Sequence, residues 1–221
     1  EKYRKRYLEG WEQLKQERYQ RQIDLGFEVG ENSPFEYLVT APWSWPEKWL
    51  RDSIPGELRT AKPWHQLTPQ EKELQATKMA IHAAMIDCID QEVGRIMDQL
   101  KAMGEDQNTL VLFLSDNGAS AEQIIRGNGH NPEASPGSGA SYLCLGPGFS
   151  TASNTPFRRH KFWTHEGGIT TPFIAYWPAG IKGKGALRSS MGHVIDVVPT
   201  VLELAGVTPL KEKQGFSAPT L

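Results

Sequence analysis

Leu110-Val111-Leu112-Phe113-Leu114-Ser115-Asp116-Asn117-Gly118 is the stretch on which the fold turns. Its first five residues are apolar without alternation, the pattern of a strand covered on both faces, as in a parallel sheet packed between helices. The next four change character. Asp116 brings a carboxylate, Asn117 a neutral amide oxygen, and Gly118 a backbone that bends sharply without a Cβ. In an open α/β sheet, ligands collect outside the carboxyl ends of the strands, which is where this tetrapeptide falls. A carboxylate beside an amide oxygen suits a hard cation such as calcium. The same residues also make an ordinary turn, because Asp, Asn and Gly dominate turns for conformational reasons.

Upstream, Thr68-Pro69-Gln70-Glu71 combines a capping hydroxyl, a proline at the first helical position and a glutamate at the third, so a helix starts there. Met79, Ile86, Ile89, Val93, Ile96 and Leu100 continue it as one apolar stripe, and Gly104 ends it. A helix placed before the strand in this way fits a right-handed crossover. Further back, Tyr3, Tyr7, Trp11, Leu14 and Tyr19 recur at roughly helical spacing, which predicts an amphipathic helix over residues 1–25. Between 26 and 67, five prolines and four tryptophans predict an irregular excursion pinned by indoles.

Downstream, residues 119–159 are rich in Gly, Ser, Pro and Asn. A loop that long, hung on the end of a strand, usually serves a function or is disordered. Phe173-Ile174-Ala175-Tyr176 between Pro172 and Pro178 reads as a second buried strand. Asp196 to Ala205 reads as a short helix with Asp196 as its N-cap and Gly206 as its stop.

The 24 basic and 26 acidic residues give a formal charge of -2, so no whole-chain field draws the protein to nucleic acid or anionic lipid. No apolar run of about 18 residues is present, and the charged first residues are not followed by the apolar stretch of a signal peptide. Cys88 and Cys144 form neither a zinc motif nor a disulfide ladder.

Three ordered motifs resemble the sulfatase family. L-V-L-F-L-S-D-N-G-A (110–119), with D-C-I-D-Q-E-V-G-R-I-M-D-Q-L (87–100) before it, resembles the family's strand-to-loop signature. S-N-T-P-F-R-R-H-K-F-W-T-H-E-G-G-I-T-T-P-F-I-A-Y-W-P-A-G-I (153–181) is similar to the segment in which a lysine precedes an E-G-G turn and a buried strand. G-H-V-I-D-V-V-P-T-V-L-E-L-A-G (192–206) is similar to the helix that follows. The first 70 residues resemble the charged helix and Trp/Pro insertion of arylsulfatase-type members.

The resemblance implies an alkaline-phosphatase-like α/β fold, with a mixed, mainly parallel sheet flanked by helices, incomplete in this chain. Residues 1–67 would be a helix plus insertion, 68–207 the core, and 208–221 the start of a link to a C-terminal subdomain. It implies hydrolysis of sulfate esters with calcium, magnesium being the alternative, and with a formylglycine nucleophile. Asp116 and Asn117 match the metal ligands, and Lys161 matches the lysine that holds the sulfate. Without the resemblance, Lys161 reads as a solvated member of the basic run Arg158-Arg159-His160-Lys161.

The formylglycine arises from a C/S-x-P-x-R motif that this chain does not contain. Asn154-Thr155-Pro156-Phe157-Arg158 comes nearest, with Asn where the nucleophile would stand. The nucleophile is therefore expected outside this chain, which alone should bind the ion weakly and be inactive. An imidazole can protonate a leaving alcohol, which makes His130 and His165 candidates for a general acid, but His130 lies within the long loop and His165 is not tied to the family's catalytic histidine; Glu166, His82 and His193 read as structural. The resemblance implies a sulfated small molecule or carbohydrate as substrate and a periplasmic or secreted location; oligomeric state is not legible. Two alternatives are a phosphate or phosphonate ester hydrolase of the same superfamily and a non-catalytic anion-binding pseudo-enzyme.

Overall fold

The computed structural model describes residues 2–125 and 129–207, together with the backbone of two short strands near the C-terminus. Contacts divide the chain into two units, residues 1–186 and 187–221.

The first unit opens with helices α1 (Arg4–Tyr7) and α2 (Trp11–Asp24). The single amphipathic helix expected here is broken at Gly10, which holds φ 97° and whose missing Cβ leaves room for the Trp64 ring. A side chain at this position would be strained by the backbone and blocked by the indole. The expected apolar stripe nonetheless exists: Tyr7, Trp11 and Leu14 are buried. Trp11 is the hub of an aromatic core, 4.8 Å from Trp64 and 5.6 Å from Phe149, both edge-to-face.

The Trp/Pro segment contains α3 (Glu47–Ser53) and one turn of 3-10 helix, Trp64–Gln66. Its indoles divide: Trp64 joins the core and donates from Nε1 to Leu8 O at 3.0 Å, whereas Trp43 and Trp49 stay at the surface.

Helix α4 runs from Pro69 to Met103 with the expected capping box: Glu71 N donates to Thr68 Oγ1, and Thr68 N to the Glu71 carboxylate. Gly104 closes it in the left-handed region at φ 73°. Only its first turns are buried, at Glu71, Gln75, Ala76, Lys78 and Met79. There Lys78 Nζ meets Glu57 Oε2 at 2.7 Å, both side chains fully enclosed, and Gln75 Nε2 donates to Glu57 Oε1 at 2.8 Å. Further along, Ile86, Ile89 and Ile96 of the expected stripe are exposed.

Strand β1 (Val111–Leu114) pairs with β2 (Phe173–Tyr176), Val111 opposite Tyr176 and Leu114 opposite Phe173. The pairing is antiparallel. This corrects the expectation that both strands are buried: β2 is exposed along its whole length, and Phe113 of β1 is also exposed. The antiparallel direction has a local reason. The chain leaves β1, loops out, and returns through α5 (Pro147–Ser153) and α6 (Glu166–Ile169), so β2 enters from the end that β1 has just left. Each of these two strands has the other as its sole ladder partner among the described residues.

The second unit holds a 3-10 turn, Val194–Asp196, running into α7 (Val197–Leu204), with Gly206 at φ 67° after it. Here the expected cap shifts. His193 starts the segment: its Nδ1 accepts from Ile195 N at 3.2 Å, and its own N–H donates to Asp196 Oδ2 at 2.7 Å. Asp196 thus completes a capping box and makes no side-chain cap to α7. Of the expected link 208–221, only strands β3 (Glu212–Lys213) and β4 (Phe216–Ser217), paired antiparallel, fall within the described residues.

Candidate active site at the tip of strand β1

Ser115 to Ala119 continue from β1 into a wedge between α6 and the loop that precedes it. Gly118 makes the wedge possible. Its N–H donates to Gly168 O at 3.0 Å, and a Cβ there would collide with the carbonyl of Gly167. Gly167 is equally constrained, since a Cβ would run into the carbonyls of Arg158 and Arg159. The S-D-N-G and E-G-G glycines therefore serve one purpose, the close approach of backbone to backbone. Thr171 Oγ1 adds a bond to Ser115 O at 2.9 Å.

Asp116 is exposed and Asn117 half-buried. Asn117 Nδ2 donates to Gly118 O at 2.9 Å, which commits the amide nitrogen and leaves Oδ1 for another partner. A carboxylate and an amide oxygen on adjacent residues match the donors of a hard cation. Two donors are a partial set: among the described residues no group of three or more His, Cys, Asp and Glu side chains could hold a metal ion.

Lys161 N donates to Ala119 O at 3.1 Å, so the lysine is registered against the residue three positions beyond Asp116. The sequence brings this about through Asn154, the residue standing where the look-alike motif lacks its nucleophile. Its Oδ1 accepts from Ala119 N at 2.8 Å, while Nδ2 donates to Ala119 O at 3.2 Å and to Arg159 O at 3.1 Å. One buried amide thereby ties the strand tip to the lysine loop. In the sequence Asn154 is marked only as the residue where a nucleophile is missing, because the Ala119 backbone it binds lies 35 positions away.

The basic run separates into distinct tasks. Arg158 and Arg159 pair with Glu36 at 2.8 and 3.4 Å. Burial pushes the Glu36 carboxyl up, but the two guanidiniums outweigh it and hold the group below its usual range. His160 is 1% exposed, bonds Ser150 Oγ through Nδ1 at 2.9 Å, and is pushed down to about 4, chiefly by burial, so it is a neutral packing group. Lys161 alone of the four is half-buried with no carboxylate paired to it among the described residues. Its Nζ lies 5.2 Å from the centre of the Phe162 ring.

Neither His130 nor His165 is hydrogen-bonded to Asp116, Asn117 or Lys161 among the described residues. His130 Nδ1 accepts from Tyr142 N at 3.0 Å within the long loop. His165 precedes α6, its Nδ1 buried without a hydrogen-bond partner among the described residues, beside an open depression of about 340 Å³ that is also bordered by Glu31, Arg158 and Glu166. Glu166 accepts from Thr170 Oγ1 within its own turn, in keeping with a structural part.

The chain is 36% identical over 216 residues to an uncharacterised sulfatase of Schizosaccharomyces pombe, covering 93% of this chain and 35% of that protein. It is 36% identical over 177 residues to an arylsulfatase of Klebsiella aerogenes, covering 73% of this chain and 37% of the relative. An N-acetylgalactosamine-6-sulfatase of Rattus norvegicus is 34% identical over 57% of this chain and 19% of its own length. The chain thus spans about a third of the length of the first two relatives. The sulfatase family model matches residues 2–207, a span that takes in the strand tip, the Asn154 clamp and the lysine loop, and the chain belongs to the sulfatase family, whose fold is of the alkaline-phosphatase-like α/β type.

Proposed function

We propose that this chain supplies part of the active site of a sulfuric ester hydrolase: Asp116 and Asn117 as two ligands of a calcium ion, Lys161 as the cation that holds the sulfate. The observation that carries the reading is the bond from Lys161 N to Ala119 O, which fixes the lysine loop to the strand tip bearing the two oxygens. Cleavage of a sulfate ester builds negative charge on the leaving oxygen and on the sulfuryl group. Fixed cations stabilise that charge most where water is excluded. A formylglycine would supply the nucleophile; calcium, when bound, would polarise the sulfate. Asp116 and Asn117 would orient the ion, and Lys161 would hold a sulfate oxygen through its ammonium without giving up its proton.

The remaining ligands, the nucleophile and the further strands of a mainly parallel sheet would come from other parts of a longer protein, with β1 and β2 forming its antiparallel pair. The substrate would be an aryl or carbohydrate sulfate, as the names of the relatives suggest. A periplasmic or secreted location is part of the same reading.

The test compares two proteins. The 221-residue chain should bind calcium weakly and release no sulfate from 4-nitrophenyl sulfate. A longer protein that adds a C/S-x-P-x-R segment should release it, be inhibited by EGTA, and lose about 10²- to 10³-fold in kcat on Lys161→Ala. Sulfate release that survives both Lys161→Ala and Asp116→Ala unchanged would overturn the assignment.

A further inference from the structure

The aromatic side chains around Lys161 take no part in the reaction described so far. Phe162 follows the lysine directly, holds φ 78°, and is 60% exposed as a residue. A bulky residue in the left-handed region is strained, and burial of this ring does little to offset the strain. The ring is nonetheless placed. Trp43 stands edge-on to it, the centroids 4.5 Å apart at 76°, and Lys161 Nζ lies 5.2 Å from its centre. Trp43 is in turn oriented by Nε1, which donates to Glu122 Oε1 at 2.6 Å, yet 42% of the residue remains exposed. Trp163 lies tilted 6.5 Å beyond it.

An ammonium beside two part-exposed rings complements an anion carried on a flat apolar body. Two rings set nearly perpendicular let a third ring stack on one and meet the other edge-on, a geometry a saturated ring cannot use. We propose that Phe162 and Trp43 form the wall against which the aromatic ring of an aryl sulfate packs while Lys161 takes its sulfate, which makes both residues determinants of preference for phenolic over alkyl sulfates. The proposal rests on Lys161 being the seat of the sulfate.

The test measures binding of phenyl sulfate, cyclohexyl sulfate and inorganic sulfate to the full chain, with calcium present, by ligand-observed NMR. Wild type should bind phenyl sulfate about tenfold more tightly than cyclohexyl sulfate, the value of a favourable aromatic pair. Phe162→Gly removes the ring at a backbone position that suits glycine, so the fold is not strained by the change. It should abolish the phenyl preference and leave inorganic sulfate binding unchanged, whereas Phe162→Tyr should keep the preference. Equal affinity of wild type and Phe162→Gly for phenyl sulfate overturns the wall. So does a wild type that shows no preference, or that fails to bind phenyl sulfate. Lys161→Ala is the separate arm: loss of all three anions supports the sulfate seat, and unchanged inorganic sulfate binding overturns the seat whatever Phe162 does.

Discussion

Gly118 carries more of this site's geometry than either proposed metal ligand. A methyl group there would push into the Gly167 carbonyl, and backbone, unlike the end of a long side chain, cannot step aside. Gly118→Ala is expected to destabilise the chain by about 1–3 kcal/mol or more, the range for overpacking, and to weaken anion binding at Lys161. Gly94→Ala in α4 is the control. Its Cβ would meet nothing, and the change should stabilise by about 0.4–1 kcal/mol. Urea unfolding of both variants checks the pair, and equal effects would show that the wedge tolerates a side chain. His160 makes a second prediction at this scale. Its folded pKa of about 4 lies below the ordinary 6.5, so the unfolded chain binds more protons between those values. Stability contributed by the neutral imidazole is complete above about pH 6.5 and is lost as pH falls toward 4, by up to about 3 kcal/mol. His160→Gln should flatten that slope in unfolding experiments run across the window.

At the scale of elements, α4 was legible because its signals are local: Thr68, Pro69 and Glu71 fix its start through hydrogen bonds within four residues, and Gly104 fixes its end through backbone conformation. What holds α4 in place was not legible. Glu57 and Lys78 lie 21 positions apart, in segments that read respectively as irregular and as an ordinary helix surface, yet they form a buried ion pair. No periodicity marks a lysine that points inward. Lys78→Ala should cost about 3–5 kcal/mol, because it strands the Glu57 carboxylate away from water. Replacing both residues, as Glu57→Gln with Lys78→Met, should cost less than Lys78→Ala alone. Thermal unfolding of the two proteins gives the comparison, and a double variant less stable than the single one would contradict it. The site divides in the same way. Asp116, Asn117 and Lys161 were named from motifs, whereas Asn154 and the Trp43–Phe162 contact depend on residues brought together across 35 and 119 positions, which only the folded chain displays.

Over the whole molecule, apolar surface is distributed unevenly. The half built around Trp11, Trp64 and Phe149 is closed, with Phe149 and Ala152 fully enclosed. By contrast, Ile86, Ile89 and Ile96 on α4 and Phe113, Phe173, Ile174 and Tyr176 on the strand pair are all at least 40% exposed. Two uncovered strands with apolar faces carry little of the burial that normally stabilises a sheet, and a two-stranded ribbon is marginal in water. The aromatic half and the strand pair should therefore differ in stability. Hydrogen exchange on the 221-residue chain is expected to show slow amides around Trp11, Leu14 and the first turns of α4, and fast amides along Val111–Leu114 and Phe173–Tyr176. The same chain should enhance the fluorescence of a hydrophobic dye, and Phe173→Thr with Ile174→Thr should reduce that signal while leaving the slow amides unchanged. Uniform protection across core and strands, with no dye bound, would mean that the exposed faces are covered in solution. Because Ser115 to Gly118 hang directly on β1, a loosely held strand pair would also let the Asp116 and Asn117 oxygens move relative to Lys161, which gives a physical reason for the weak calcium binding proposed for this chain by itself.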